Sequence, residues 1–378
     1  MRKKLTSILS ALIVSWVSMP AWAQGPPAIP APPTPLLLQP QLGPGPAESP
    51  PPGFFPEIIA PGGGIPGGIS GDACRGCCDQ QENSWWSGTF GAGAGGAYLF
   101  PYFSSNPAFF TSTAVGARTV NNQQNFGTTG NGAPVAFISY TLDSGLGIQS
   151  NYFSFHNSNS QNATFNGAAS LTDPAGTLFG TPANKAFANA YSELNMLVIN
   201  LELTQKWVFG NCMWMRIGAG VEYAHIDQNY ALNLFNGGTG NTASTINHGF
   251  TGWGPTISLE IHRRLGDTDF GVYGTARGTL LFGSVDQNYQ FISTNAPVQG
   301  SSNSNLVMPV GELELGVEWG HCWGRLRVYG QLGVNGQIWG NGGNASEGGP
   351  LGGNFANQSS SPANFGLIGG VGRVGIEF

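Results

Sequence analysis

Beyond about residue 85, the connections between apolar-alternating runs differ in length by turns. Ten runs with period-two alternation lie near 88–100, 134–142, 146–155, 191–204, 213–229, 250–264, 269–285, 308–320, 325–339 and 364–378. The intervals 101–133, 156–190, 230–249, 286–307 and 340–363 are long and rich in Asn, Ser, Thr and Gly. Between them come tight turns: "LDSG" around Asp143 and Ser144, "KWVFGNC", "GDT" and "HCWG". Long loops on one side and short turns on the other are the pattern of an outer-membrane barrel. A soluble β-sandwich imposes no such alternation. An even number of strands returns both ends to the periplasm. The expected fold is all-β: a closed antiparallel transmembrane β-barrel of about 10 strands, within a range of about 8–12.

The runs are longer than the five or six residues usual in soluble sheets. They suit a tilted membrane strand, which needs about 9–11 residues. Composition agrees, since charged residues are only 9% of the chain and Gly is the commonest residue, with 59 copies. A net charge of −6 argues against general nucleic-acid binding, which needs a basic surface to displace counterions.

Residues 1–23 read as a signal peptide: basic "MRKK", apolar "LTSILSALIVSWV", then "AWA" as the cleavage site. Its apolar core is shorter than the ~20 residues a helical span needs. Residues 24–84 form a leader whose Pro- and Gly-rich tract precludes persistent helix or sheet, and which ends in a Cys cluster. Residues 85–378 form the barrel. The expected location is the outer membrane of a Gram-negative envelope, with its lipid and the barrel-assembly machinery as partners.

Alternation then separates lipid from lumen. In "DFGVYGTARGTLLFGSV", Phe270, Val272, Leu280 and Phe282 share one face, and Tyr273, Thr275, Arg277 and Thr279 the other. The same rule makes Glu202, Arg216, Glu222, Glu260, Arg264, Arg277, Glu312, Glu314, Glu318, Arg325, Arg327 and Arg373 lumen-lining, with Glu377 beside them. A charge on the lipid face at mid-membrane costs roughly 2–4 kcal/mol, so inward placement is what a bilayer enforces. Arg216 is expected to face Glu202, and Arg327 one of Glu312, Glu314 or Glu318. Two readings of these charges compete. In the first, the expected function, they line a water-filled path for porin-like passive diffusion of small polar solutes. In the other they pair across strands and fill a narrow barrel, which anchors the envelope or displays its loops to a partner.

Five cysteines, Cys74, Cys77, Cys78, Cys212 and Cys322, all map to the periplasmic rim, where disulfides are expected. A single Cys-x-x-Cys spacing in "CRGCC", with no second pair, is a weak metal or redox signal. No metal-ligand spacing, nucleophile elbow or phosphate loop followed by a helix is present. No cofactor and no enzymatic activity are expected. The closing "FGLIGGVGRVGIEF" places Val374, Ile376 and Phe378 on an outward parity, resembling the signal that assembly machinery reads, and Phe378 is expected to pair near Phe90.

The hairpin "FTGWGPTISLEIHRRL" with "FGVYGTARGTLLFG" resembles pore-forming outer-membrane barrels of the planctomycete porin type. It is also similar to the Legionella major outer-membrane protein family. "NMLVINLELTQKW" with "MRIGAGVEYAHIDQNY" resembles the preceding hairpin of that group. The resemblance covers roughly 85–378, implies a pore-forming barrel, and supplies no catalytic residues.

Overall fold

The computed structural model describes residues 88–115, 118–165, 169–174, 186–209, 212–236, 240–292, 297–347 and 363–378. The signal peptide, the leader and Cys74, Cys77 and Cys78 lie outside the described residues. In chain order the strands are β1 (Gly88–Phe103), β2 (Pro107–Val115), β3 (Arg118–Asn125), β4 (Asn131–Leu142) and β5 (Leu146–Phe165). They continue with β6 (Ala169–Thr172), β7 (Ala186–Phe209), β8 (Met213–Asn236), β9 (Gly240–Arg264) and β10 (Phe270–Ile292). The last are β11 (Val298–Trp323), β12 (Leu326–Trp339) and β13 (Phe365–Glu377). Ten of them close one antiparallel barrel in the ring order β1-β13-β12-β11-β10-β9-β8-β7-β5-β4. The other three form a separate sheet, β3-β2-β6.

β5 and β7 to β11 are much longer than the sequence reading gives them, whereas β12 and β13 keep nearly the expected bounds. Segments 230–249 and 286–307, expected as loops, are mostly strand: β8 pairs with β9 from Met213↔Arg263 to Asn236↔Gly240. A strand of 24 residues, rising ~3.3 Å per residue at ~40° tilt, gains roughly 60 Å of height, about twice the apolar band of an outer membrane. The barrel therefore stands well clear of the lipid. The interval 101–133, also expected as a loop, contains β2 and β3.

Side-chain direction explains how one strand serves both zones. Along β8, Ile217, Val221 and Tyr223 point outward and are exposed, while Glu222 points inward and is buried. Above Tyr223 the parity continues but the chemistry reverses. Ile226, Tyr230, Leu232 and Leu234 now fill the interior, and His225, Asp227 and Asn229 face out. Tyr223, Trp253 and Phe282, aligned across three strands, mark the upper edge of the lipid belt. Below it the exterior is apolar, as lipid demands. Above it the pattern is that of a water-exposed sheet, polar outside and apolar inside.

That interior is continuous. All ten barrel strands contribute to one apolar layer, which includes Leu99, Phe155, Met196, Ile226, Phe250, Leu281, Met308, Trp339 and Phe365. Over it, Ala108 and Phe109 of β2, Leu171 of β6 and Phe126 pack against Tyr230, Leu232, Ile246 and Tyr289. The small sheet is thus docked in the outer mouth. Tyr230 donates a hydrogen bond to the Ala108 carbonyl at 2.5 Å, and Ser244 donates to Asp173 at 2.7 Å.

At the other end the turns are tight. Gly145, at φ 83°, sits so near the Lys206 carbonyl that an added Cβ would lie 2.3 Å from it. β1 and β13 close the ring in continuous register from Gly91↔Glu377 to Phe103↔Phe365. Phe90 and Phe378 exchange two backbone hydrogen bonds of 2.9 Å, and their rings lie 5.2 Å apart. This seam is rich in glycine. A Cβ on Gly95 would lie 2.0 Å from the Gly372 carbonyl oxygen, so the backbones approach closer than any side chain permits.

Candidate functional site in the barrel lumen

Within the lipid belt the inward positions carry charge, and the strand register decides the partners. Arg277 of β10 donates to Glu202 at 3.0 Å and to Glu312 at 2.7 Å. Arg216 of β8 pairs with Glu260 of β9, its neighbour in register. Arg327 of β12 holds Glu318 and, at 2.7 Å, Glu377. Arg373 of β13 pairs with Glu314, which also accepts a hydrogen bond from the Tyr273 hydroxyl at 2.8 Å. Asn335 donates to Glu312 at 2.8 Å, and Gln331 donates to Glu318 at 2.8 Å.

His262 links two of these groups. Its Nε2 lies 2.7 Å from Glu260 and its Nδ1 3.3 Å from Glu318. Its ring stacks on Trp214 at 3.9 Å and lies 5.5 Å from the Tyr273 ring. Lys206 lies 4.7 Å over the other partner of this stack, the Trp214 ring.

Ten of the residues expected in the lumen are brought together there: Glu202, Arg216, Glu222, Glu260, Arg277, Glu312, Glu314, Glu318, Arg327 and Arg373. Two are not. Arg264 sits at the periplasmic end of β9, where it donates to the Thr268 carbonyl at 2.7 Å and lies 3.5 Å from Asp269. Arg325 precedes β12, in the turn, and is exposed. The expected Arg216–Glu202 pair is replaced by Arg216–Glu260, because Lys206, not Glu202, stands opposite Arg216 on β7. Counting back from the ends of the hairpin, Phe209 and Met213, leads to this partner. His262, Tyr273, Gln331 and Asn335 share the inward parity of the charges, and the structure adds their hydrogen bonds to the network.

Val374 and Phe378 face outward and are exposed, with Ile376 on the same parity. Cys212, in the β7–β8 turn, is disulfide-bonded, and Cys322 lies near the end of β11 on the same rim. Among the described residues no group of three or more His, Cys, Asp or Glu side chains is arranged for a metal ion.

Free space in the lumen is divided. A cavity of about 110 Å³ lies between the charges and the apolar layer, lined by Glu222, Arg277, Asn335 and Arg373 below and by Leu99, Val198 and Trp339 above. Two recesses, of about 290 and 550 Å³, lie at the periplasmic end around Lys206, Trp214 and Glu377.

A closed ten-stranded antiparallel ring with an apolar outer belt and ion-paired lumen defines an outer-membrane β-barrel protein. The chain belongs to the family described as Legionella pneumophila major outer membrane protein precursor, whose profile matches residues 87–369. Its place is the outer membrane. Among solved structures, the chain is similar to the outer membrane protease OmpT from Escherichia coli, at 12% identity and a TM-score of 0.38 over 77% of this chain and 96% of that one. It is also similar to the CymD monoaromatic hydrocarbon channel, at 7% identity and a TM-score of 0.20 over 76% and 87% of the two chains. A Pseudomonas aeruginosa FadL homologue matches at 7% identity and a TM-score of 0.21 over 77% and 89%. No curated protein matches the chain.

Proposed function

We propose that this protein is a closed outer-membrane barrel that anchors in the lipid and presents a structured, polar outer half to partners at the cell surface. One observation carries the reading: the apolar layer to which every barrel strand contributes. Passive diffusion of small polar solutes needs a continuous wet path. Here such a path would have to cross Phe250, Trp339 and Phe365, each 2% exposed or less. The paired charges beneath support the same reading, because each lumenal Arg side chain is already bound to one or two carboxylates. The reading includes no catalytic role. Val374, Ile376 and Phe378 serve insertion by the barrel-assembly machinery.

Liposome swelling tests it. Vesicles carrying the purified full chain are expected to swell in sugars and amino acids no faster than empty vesicles. Size-dependent swelling would replace this reading with a diffusion pore.

A further inference from the structure

The cavity beneath the apolar layer has an unmet charge. Four carboxylates line it, from Glu222, Glu260, Glu312 and Glu314, against three guanidiniums, from Arg216, Arg277 and Arg373. Every one of these guanidiniums is committed to a carboxylate other than Glu222. Glu222 is 3% exposed and makes no ion pair among the described residues. Burying a carboxylate without a counter-charge is costly, so something must compensate it.

An independent observation points to what is missing. The Oδ1 of Asn335, another lining residue, is buried without a hydrogen-bond partner. Its orientation is fixed, because its Nδ2 donates to Glu312 and Glu314 on the other side. Turning the amide would set oxygen against two carboxylates. The cavity therefore presents a carboxylate that has the Thr279 hydroxyl and the field of Arg277 near it but no ion pair of its own, together with an unpartnered acceptor. A neutral guest leaves the charge unmet and an anion worsens it. A divalent ion would bring one positive charge more than Glu222 offsets, beside three guanidiniums.

We propose that this cavity binds a small monovalent cation of the size of sodium, potassium or ammonium, held by the Glu222 carboxylate and by Asn335 Oδ1 directly or through water. Thr275 and Thr279 supply further lining oxygens. At about 110 Å³ the space holds an ion with a few waters of roughly 30 Å³ each. The apolar layer directs entry to the periplasmic side. The site does not depend on whether the barrel conducts, so swelling results leave it untouched.

The test is thermal unfolding of the full chain in detergent at constant ionic strength and pH 8, in chloride salts of sodium, potassium, ammonium or bulky N-methylglucamine. Small cations are expected to raise the Tm saturably by a few degrees over N-methylglucamine, as a ligand of the folded state must. Glu222→Gln is expected to abolish that dependence and to melt at or above the loaded wild type. Asn335→Ala is expected to keep the dependence with weaker apparent affinity. Equal wild-type Tm values in all four salts overturn the proposal, as does a Glu222→Gln protein that still responds. A proton alone on Glu222 gives the first of these results. Sodium NMR on the wild type needs no variant: line broadening displaced by potassium supports the site, and its absence counts against it.

Discussion

The two halves of this barrel share their strands and oppose each other in chemistry. Below Tyr223, β8 gives Ile217 and Val221 to the lipid and Arg216 and Glu222 to the lumen. Above it, the same outward parity carries His225, Asp227 and Asn229, and the inward parity carries Ile226, Tyr230 and Leu232. The backbone does not change between them. What changes is the medium outside, lipid below and water above, and each half buries whatever that medium rejects. The lower half holds its interior by ion pairs and the upper half by packing, so they should fail differently.

The largest expected effect lies in the lower interior. Arg277→Met removes the shared partner of Glu202 and Glu312 and should cost about 3–5 kcal/mol, the range for an uncompensated buried charge. Equilibrium unfolding from lipid vesicles measures it, and Glu202→Gln with Glu312→Gln should recover most of the loss. A cost below about 1 kcal/mol would mean that this interior is wet, and the contrast would collapse.

Outside, Leu332→Arg puts a charge on a lipid-facing position that is 66% exposed and should cost about 2–4 kcal/mol. Asn229→Arg, equally outward but above the belt, should change stability by no more than ~0.5 kcal/mol. Equal costs in the same vesicle assay would move the edge of the belt.

Acid should act on the upper half through His248, which lies five positions above Trp253 on the inward face, outside the lipid belt. Burial lowers its pKa to about 4. Gln228 and Gln287 flank it in register, and Gly343 packs against its ring. The unfolded chain takes up the proton first, at about pH 6.5, so stability should fall as pH drops from there towards 4. The full loss is on the order of 3 kcal/mol. The unfolding free energy of His248→Gln relative to wild type should vary across that window, and a flat difference would refute the assignment.

The smallest effect is Tyr230→Phe, which deletes the hydrogen bond to the Ala108 carbonyl at a cost of about 1 kcal/mol. Limited proteolysis within β2, β3 and β6 should quicken while the barrel strands resist as before. Unchanged cleavage would show that packing alone holds the small sheet.

Much of the lower half is legible in the sequence. Lipid imposes a strict alternation, so "VYGTARGTLLF" gives its two faces directly, and the closing partner of Phe378 follows from ring closure. The upper half is harder because a fixed assumption, apolar side outward, fails there. "NYALNLFN" looks like a polar loop until Tyr230, Leu232 and Leu234 are read as an inward row. The partner of Arg216 needed register as well as parity. The sheet β3-β2-β6 left even less trace, since β3 reads "RTVNNQQN" and gains its order by pairing with β2.

The glycine seam between β1 and β13 has a mechanical consequence. Along most of the ring, neighbouring strands are tied twice, by the backbone ladder and by interlocked side chains. Where Gly96 faces Gly372 only the ladder remains. Under sideways load the wall is thin there. The ring thus carries at β1 and β13 a line along which it can be parted, like the stitched edge of a sleeve cut from a single sheet.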